Sequence, residues 1–582
     1  MESKPASDST PPGDMKEHIE HDVSDLPSTT LDATNGNDLF NVAKHERPQV
    51  DAFIDRLEAQ LHHSTLTPPR ITIPPRWFTA TMVVFASLGG LLFGLDQSLI
   101  SGALLFLPHD LHLDAQQESF VSSGVPLGAI AGAVMLIPAN EYLGRRRAII
   151  LALALYTLGA ALEAGAISYP MMLVGRLILG LGVGIETGTV PVYVAESVER
   201  KYRGNLVSAY QMNIALGEVL GYVVAAIFLD VPGNWRYILG ASVVFSTIMW
   251  AGMLILPESP RFLLHKGQQL QAYQVWKHIR GVDTFDAKAE FYVMVRIAET
   301  EEREMKAKRA VTKFVWLDFV KVPRARRAIV YANIMILLGQ FVGINGIMYY
   351  MATLMQQVGF DTADATYMSM VGGGALFLGT IPAIFYMERF GRRFWAMTML
   401  PGCLIGLALI GANYQLDATT NPAGVQGLYL GGVIVYMLFY GPYACLTWVI
   451  PSDVYPTYLR SYGMATSDAM VFLGSFIVTY NFAAMQAAMT KTGLMLGFFG
   501  GITVLGWFYQ LFFMPEVKDM TLEEVGIVFS TPTRQLVREN IANTQRTASL
   551  ALHGRFREAL FRDKSREHGA HLTQTTGEKT DV

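Results

Sequence analysis

Long apolar runs return along the chain at nearly regular intervals, separated by short polar stretches. Twelve of them reach the length of about 20 mainly apolar residues that a helix needs to cross a bilayer. They fall at about 79–107, 119–138, 148–167, 171–194, 206–229 and 235–256. After a gap come about 328–355, 365–387, 394–412, 426–450, 464–485 and 494–513. The pattern predicts an all-α membrane protein with 12 transmembrane helices in two six-helix halves. The polar stretches complete the division: an N-terminal tail 1–75, a first half 76–256, a charged, helix-patterned linker 257–327, a second half 328–514 and a C-terminal tail 515–582. The first tail, rich in Ser, Thr, Pro, Asp and Gly, is expected to be disordered. Within it, 50–61 has helical apolar spacing and reads as a partly helical tail rather than a docking segment. The basic helical stretch 534–564 reads as a solvated tail rather than a lipid contact.

Charge adds orientation. Basic residues follow the even-numbered spans: Arg145–Arg147, Arg200 to Arg203, Arg261 onward, Arg389 to Arg393 and Arg460. The alternate loops carry almost none, Lys491 being the clear exception. By the positive-inside rule both termini are cytosolic. No basic start with an apolar core precedes the first span, which is therefore expected to act as an uncleaved insertion signal. Cys403 and Cys445 both lie in spans and suggest neither a disulfide framework nor a metal site. No catalytic constellation stands out, so an enzyme is not expected, nor a cofactor, nor a nucleic-acid partner.

Three pairs of motifs return in register. Glu141-Tyr-Leu-Gly-Arg-Arg follows the second span, and Glu388-Arg-Phe-Gly-Arg-Arg the eighth. Glu196 and Arg203 follow the fourth span seven residues apart, and Asp453 and Arg460 follow the tenth at the same spacing. Pro257-Glu258 follows the sixth, and Pro515-Glu516 the twelfth. The two halves are thus similar, which suits rocking of one against the other. Opposite charges at these helix ends can bridge helices when that end of the bundle is closed. Single exposed pairs are worth about 0–1 kcal/mol, so they would have to act as a network. The arginines alone are also accounted for by orientation; the acids at matching spacing are not.

The seventh span is the most polar in its interior. Residues 338–350 read Leu-Gly-Gln-Phe-Val-Gly-Ile-Asn-Gly-Ile-Met-Tyr-Tyr. Amides at that depth are costly unless they face a partner or a wet cavity. Gly343 lets the helix loosen between Gln340 and Asn345, so that amides five apart turn to one side, as in transporters whose broken helices line a binding site. Asn345 and Tyr349, four apart, share a face without any break. The alternative is that Gly339, Gly343 and Gly346 serve close helix packing and the amides bond across it.

On Gly89-Gly-Leu-Leu-Phe-Gly-Leu-Asp96, Gly144-Arg-Arg, Gly175-Arg176, Pro191-Val-Tyr-Val-Ala-Glu196, Arg203-Gly204, Pro257-Glu-Ser-Pro-Arg-Phe-Leu263, the Gln340 to Tyr350 stretch, Gly391-Arg-Arg and Pro451-Ser-Asp-Val-Tyr-Pro456 with Arg460, the chain resembles the sugar porter family of the major facilitator superfamily. The resemblance covers about 78–524. It implies the major facilitator fold and a secondary active transporter, with proton-coupled uptake of a sugar or polyol by alternating access. It implies a plasma-membrane location, with a small-molecule substrate, protons and lipids as partners. It makes Glu141, Arg145, Arg146, Glu196 and Arg203 in one half, and Glu388, Arg392, Arg393, Asp453 and Arg460 in the other, a cytosolic gate. Proton-coupled members of the family have an Asp in the first span and an Arg in the fourth, here Asp96 and Arg176. Either charge alone would be costly in a span; protonating Asp96 would break their pair and bias two conformations. A permanent structural ion pair is the alternative.

The resemblance also carries Gln211, Gln340, Asn345 and Trp448 onto sugar-contacting positions. Amides supply donors and acceptors for hydroxyls, and an indole face suits the apolar side of a ring. Other positions depart from the family: Gly339 precedes Gln340 where a paired glutamine is usual, Leu376 and Phe472 stand at usual contact positions, and Gly441-Pro442 lies early. Glu163, Glu186, Glu218 and Asp468 add acids within spans. Glu218, two helical turns after Gln211, is expected to share its cavity face, with Gly217 and Gly221 leaving room. Glu163 is expected to be a structural buried acid. The substrate set is therefore Gln211, Glu218, Gln340, Asn345, Tyr349 and Trp448. Transport of another small molecule, cationic or a secondary metabolite, is the second reading, and a non-transporting nutrient sensor the third.

Overall fold

A computed structural model describes residues 46–64, 75–197, 203–309, 315–417, 421–456, 459–517 and 528–553, with Val525 and Arg555. Side chains of 75–87, 195, 203–208, 388 and a few others within helices lie outside the described residues, among them those of the predicted gate residues Arg203 and Glu388, as do residues 1–45 and 556–582. Eleven described helices are long and apolar enough to span a membrane. The helix Pro75–Ala103 supplies the first span, giving twelve.

The first half comprises α2 (Pro75–Ala103), α3 (Ala115–Pro138), α4 (Arg145–Ala164), α5 (Tyr169–Ser197), α6 (Arg203–Ile227) and α7 (Asn234–Ile255), preceded by α1 (Arg47–His63). The linker folds as α8 (Pro260–His265), α9 (Gln269–Arg280) and α10 (Phe285–Arg309). The second half begins with a span in three pieces, α11 (Pro323–Phe341), α12 (Ile344–Tyr349) and α13 (Met351–Gln357). It continues with α14 (Thr362–Phe390), α15 (Arg392–Asn413), α16 (Pro422–Val454), α17 (Arg460–Met489) and α18 (Gly500–Phe513), and α19 (Thr533–Leu552) follows. Polar residues start several helices. Asp114 and Gln117 form a reciprocal capping box on α3, and Asp361 accepts from the Asp364 N–H at the head of α14.

Glycine faces set the spacing within each half. A Cβ on Gly217 would meet the Leu91 carbonyl of α2, and one on Gly221 would meet Ser98. These two glycines are therefore seats for α2 against α6 and not the room beside Glu218 that the sequence suggested. A lipid tail is as apolar as a leucine, so close backbone approach of this kind is what holds such helices together. Between the halves, α3 lies along α17 and α6 along α14. The two contacts exchange under the repeat, since span two corresponds to span eight and span five to span eleven.

Two tail segments differ from expectation. The apolar stripe of α1 is a docking face: Ile54 and Leu57 are buried with Leu263, Tyr273, Trp276 and Phe291 of the linker. Lys277 Nζ stands 2.7 Å from Glu58 and Lys288 Nζ 3.1 Å from Asp51. The reason is that α8 to α10 present an apolar face of their own, too small a unit to close without a further helix. Lys277 beside Glu58 holds its carboxyl below the usual carboxylate range, against the effect of burial. In α19, Asn540 Nδ2 donates to the Phe512 carbonyl at 2.8 Å and Thr544 Oγ1 accepts from Arg393 Nη2 at 3.0 Å, so this part of the basic stretch is fastened to the second half.

Candidate functional site

The seventh span breaks at Gly343, whose φ of +101° only glycine adopts readily and where a Cβ would run into the Phe499 ring. The break turns Gln340 and Asn345 toward one another, and Asn345 Nδ2 donates to Gln340 Oε1 at 2.7 Å. An interrupted helix frees carbonyls, which in a membrane must find donors. Tyr436 Oη donates to the Val342 carbonyl at 3.1 Å and Tyr440 Oη to the Gly339 carbonyl at 3.4 Å. The two tyrosines are four apart on α16 and stack on each other. The other glycines of the stretch do serve packing: a Cβ on Gly346 would meet Phe482, and one on Gly339 would meet Tyr443. The break expected at Gly343 is thus present, and Gly339 and Gly346 serve packing.

The break opens onto a cavity between the halves. Gln211 and Glu218 of α6 form one wall; Gln340, Asn345 and Trp448 form the other. Trp448 Nε1 donates to Gln211 Oε1 at 2.7 Å, a bond from one half to the other, and Tyr210 meets the indole edge-on at 5.4 Å. Glu218 is buried and its Oε2 has no hydrogen-bond partner. Leu376 lines the cavity, while Phe472 is fully buried and packs edge-on to Phe93, itself a wall residue. The cavity measures about 50 Å³, room for a few waters only. A larger molecule enters only if the halves part. At the end away from the tails they are joined by Tyr222 Oη donating to the Met348 carbonyl at 3.1 Å and the Ala352 N–H donating to Ser101 Oγ at 3.2 Å.

Tyr349 is not part of the wall. It is fully buried one turn beyond Asn345, where α2 covers α12, and it faces Gln97, Ser475, Asp96 and Arg176. Sharing a helical face with Asn345 did not bring it into the cavity, because the cavity closes within that turn.

Behind Tyr349, Arg176 Nη1 lies 2.6 Å from Asp96 Oδ1, and both residues are buried. The adjacency expected of this pair is thus present. Glu163 of α4 joins it, with Oε2 3.5 Å from the same nitrogen. Arg176 Nε donates to the Val121 carbonyl at 3.1 Å. The other two added acids lie apart from the walls just described. The Glu186 carboxyl rests against Gly89, and the Asp468 carboxyl crosses between the halves to rest against Gly188.

At the tail end the repeat is reproduced in three dimensions. Arg145 Nη2 meets Glu196 Oε1 at 2.9 Å, and Arg392 Nη2 meets Asp453 Oδ2 at 3.2 Å. Each pair bridges helices within its own half. Burial would raise the Glu196 carboxyl, yet Arg145, the Ser259 hydroxyl and Arg261 hold it below the usual carboxylate range. Glu258 accepts the Arg146 N–H at 2.9 Å, and Glu516 accepts the N–H groups of Arg392 and Arg393 at 3.2 Å each. Each of these acids therefore covers the first turn of the helix that its Gly-Arg-Arg begins, where unsatisfied N–H groups favour a carboxylate. Gly144 and Gly391 both have φ +89°, and a Cβ on either would collide with that acid. Arg146 and Arg393 also reach back to carbonyls at the ends of α7 and α18. Glu141 is exposed in the turn after α3, and Arg460 begins α17.

Several contributors escaped the sequence reading. Gln97, Thr447 and Ser475 add polar atoms to the cavity wall, and nothing in their local pattern separates them from helix-packing residues. The tyrosine pair at 436 and 440 had a signal, its four-residue spacing in a span opposite the broken one.

Residues 82–529 match the family model described as sugar (and other) transporter. The chain is 61% identical over 525 residues to the myo-inositol transporter FST1 of Gibberella moniliformis, covering 90% of this chain and 92% of that one. It is 30% identical to the human proton myo-inositol cotransporter, covering 78% and 82%. Among solved structures it resembles the proton:xylose symporter XylE bound to 6-bromo-6-deoxy-D-glucose, with a TM-score of 0.67 at 24% identity over 78% of this chain and 100% of that one.

Proposed function

The chain belongs to the sugar porter family of the major facilitator superfamily, and on that premise we propose that it imports a cyclic polyol, myo-inositol foremost, together with a proton. It is a secondary transporter of the alternating-access type and not an enzyme. The observation that carries the substrate is the 61% identity, over nine-tenths of the chain, to a protein named a myo-inositol transporter. The chemistry of the cavity supports it. Gln211, Gln340 and Asn345 offer donors and acceptors to ring hydroxyls, Trp448 offers an apolar face, and Glu218 adds a carboxyl able to take a hydroxyl at each oxygen.

The proton reading is supported by the buried Asp96–Arg176 pair and by the human relative whose name specifies proton cotransport. Protonating Asp96 removes its charge from Arg176, so the pair has two states of different energy that an external proton can select. The paired charges at Arg145–Glu196 and Arg392–Asp453, with Glu258 and Glu516, are proposed to fix the helix ends that must separate when the cavity opens to the tail side. We assign both tails to the cytosol on the basic residues of alternate loops, and the protein to the plasma membrane on the family resemblance. The chain is proposed to divide at residues 75, 256, 322 and 514, the third boundary ahead of the expected 327 because the first helix of the seventh span starts at Pro323.

The unpartnered Glu218 Oε2 favours a second reading, a cationic substrate. Both are tested by uptake into vesicles of labelled myo-inositol, hexoses and amines, with and without an inward proton gradient. Gradient-driven accumulation of inositol supports the first reading. Accumulation of an amine alone supports the second.

A further inference from the structure

Arg176 has one guanidinium and two carboxyl neighbours, and the mechanism so far uses only one of them. Nη1 lies between Asp96 Oδ1 at 2.6 Å and Glu163 Oε2 at 3.5 Å. Nη2 has no partner, and neither do Asp96 Oδ2 and Glu163 Oε1. The cluster is sealed: Glu163 is 1% exposed and Arg176 0%. Its stem packs on Gly175, where a Cβ would touch Glu163 Cγ, so the acid is seated beside the arginine by the fold. The titratable and charged groups around it are Asp96 on α2, Arg176 on α5, Tyr156 on its own helix, Tyr349 on α12 and, on α7, Arg236. The Tyr156 hydroxyl donates to the Leu92 carbonyl, and the Arg236 guanidinium is turned to the Ala166 carbonyl.

We propose that Glu163 is a positioning residue for proton coupling, the resident carboxylate that keeps Arg176 paired while Asp96 takes up and gives up its proton. This rests on the coupling reading above. Were Asp96 the sole partner, protonating it would leave a buried guanidinium unpaired, a costly state. With Glu163 ionised, the three groups carry a net charge of −1 when Asp96 is a carboxylate and become neutral when it gains a proton. The incoming proton ends as the hydroxyl hydrogen of Asp96; no other bond changes. The guanidinium then turns its free Nη2 to Glu163 and closes a two-pronged pair. The negative charge of Glu163 also makes Asp96 easier to protonate, which moves coupling toward neutral pH.

The experiment is the pH profile of inositol uptake and of inositol-induced proton uptake in proteoliposomes of the full chain, wild type against E163Q and E163D. The expected result is a midpoint displaced to more acid pH by about one unit or more in E163Q. A smaller displacement in the same direction is expected in E163D, whose carboxylate is withdrawn by one methylene. An E163Q carrier that exchanges inositol with the wild-type midpoint would overturn the inference. If E163Q does not reach the membrane, an unmoved midpoint in E163D overturns it and a displaced one supports it. A wild type with no pH dependence overturns the coupling reading and this inference together, whereas a pH-dependent wild type with unmoved variants overturns the inference alone.

Discussion

Asn345 donates to Gln340 at 2.7 Å across a helix break only two residues wide, so the two amides act as one unit facing the cavity. An unbroken helix would hold residues five apart some 140° from one another. The pairing thus depends on Gly343, and Gly343→Ala tests that dependence. The variant must adopt a left-handed conformation at a cost of about 1–3 kcal/mol and push against Phe499. A lowered melting temperature with weakened inositol binding is expected; unchanged binding would mean that the break is not needed to present the amides.

Gln340→Ala and Asn345→Ala should each weaken inositol binding while the protein remains in the membrane. A hydrogen bond between neutral groups is worth about 0.5–1.5 kcal/mol. The loss of one amide also strands its partner, so the double variant should cost less than the two single ones added together. Isothermal titration of the three variants gives the comparison. Strict additivity would argue that the amides work independently.

Glu218→Gln keeps shape and hydrogen-bonding capacity but removes the possibility of charge. Retained inositol transport across pH is expected, with a change in affinity of less than about tenfold, the equivalent of roughly 1.4 kcal/mol. Loss of transport of a cationic substrate, with no inositol transport in the wild type, would favour the second reading. Unaltered affinity for every transported solute would make Glu218 a packing residue.

At the tail end, Glu196→Gln removes one partner of a largely buried pair and should lower stability. The sign of its pH dependence follows from a carboxyl held below its usual range. The contribution is fully present above the unfolded value of about 4.3 and is lost as pH falls through the lower folded value. Melting temperatures of wild type and variant should therefore differ by a constant amount from pH 7 to about pH 5 and converge only in stronger acid. A gap that closes already near pH 6 would contradict the geometry.

Much of this was legible in the residues. Apolar runs marked the spans because lipid demands them, and the Gly-Arg-Arg repeat marked the halves because each glycine needs a positive φ beside an acid. The Gly343 break followed from the cost of polar groups in a span, and the Asp96–Arg176 pairing from that cost together with the family resemblance. What local pattern could not give was contact across helices. Tyr349 shares a face with Asn345 yet falls behind the wall. Gly217 and Gly221 seat α2 rather than making room for Glu218. Glu163 read as a structural buried acid, and that its neighbour is Arg176 was not visible in the pattern. The docking of α1 was hidden for the same reason, since its apolar stripe has meaning only beside the linker helices that cover it.

Whether a proton on Asp96 drives substrate uphill is read from accumulation of labelled myo-inositol by proteoliposomes under an inward proton gradient, wild type against Asp96→Asn, with exchange at equal pH measured alongside. Concentration by the wild type that collapses with a protonophore is expected, and exchange without concentration by the variant. An Asp96→Asn carrier that still concentrates inositol under the gradient would contradict it.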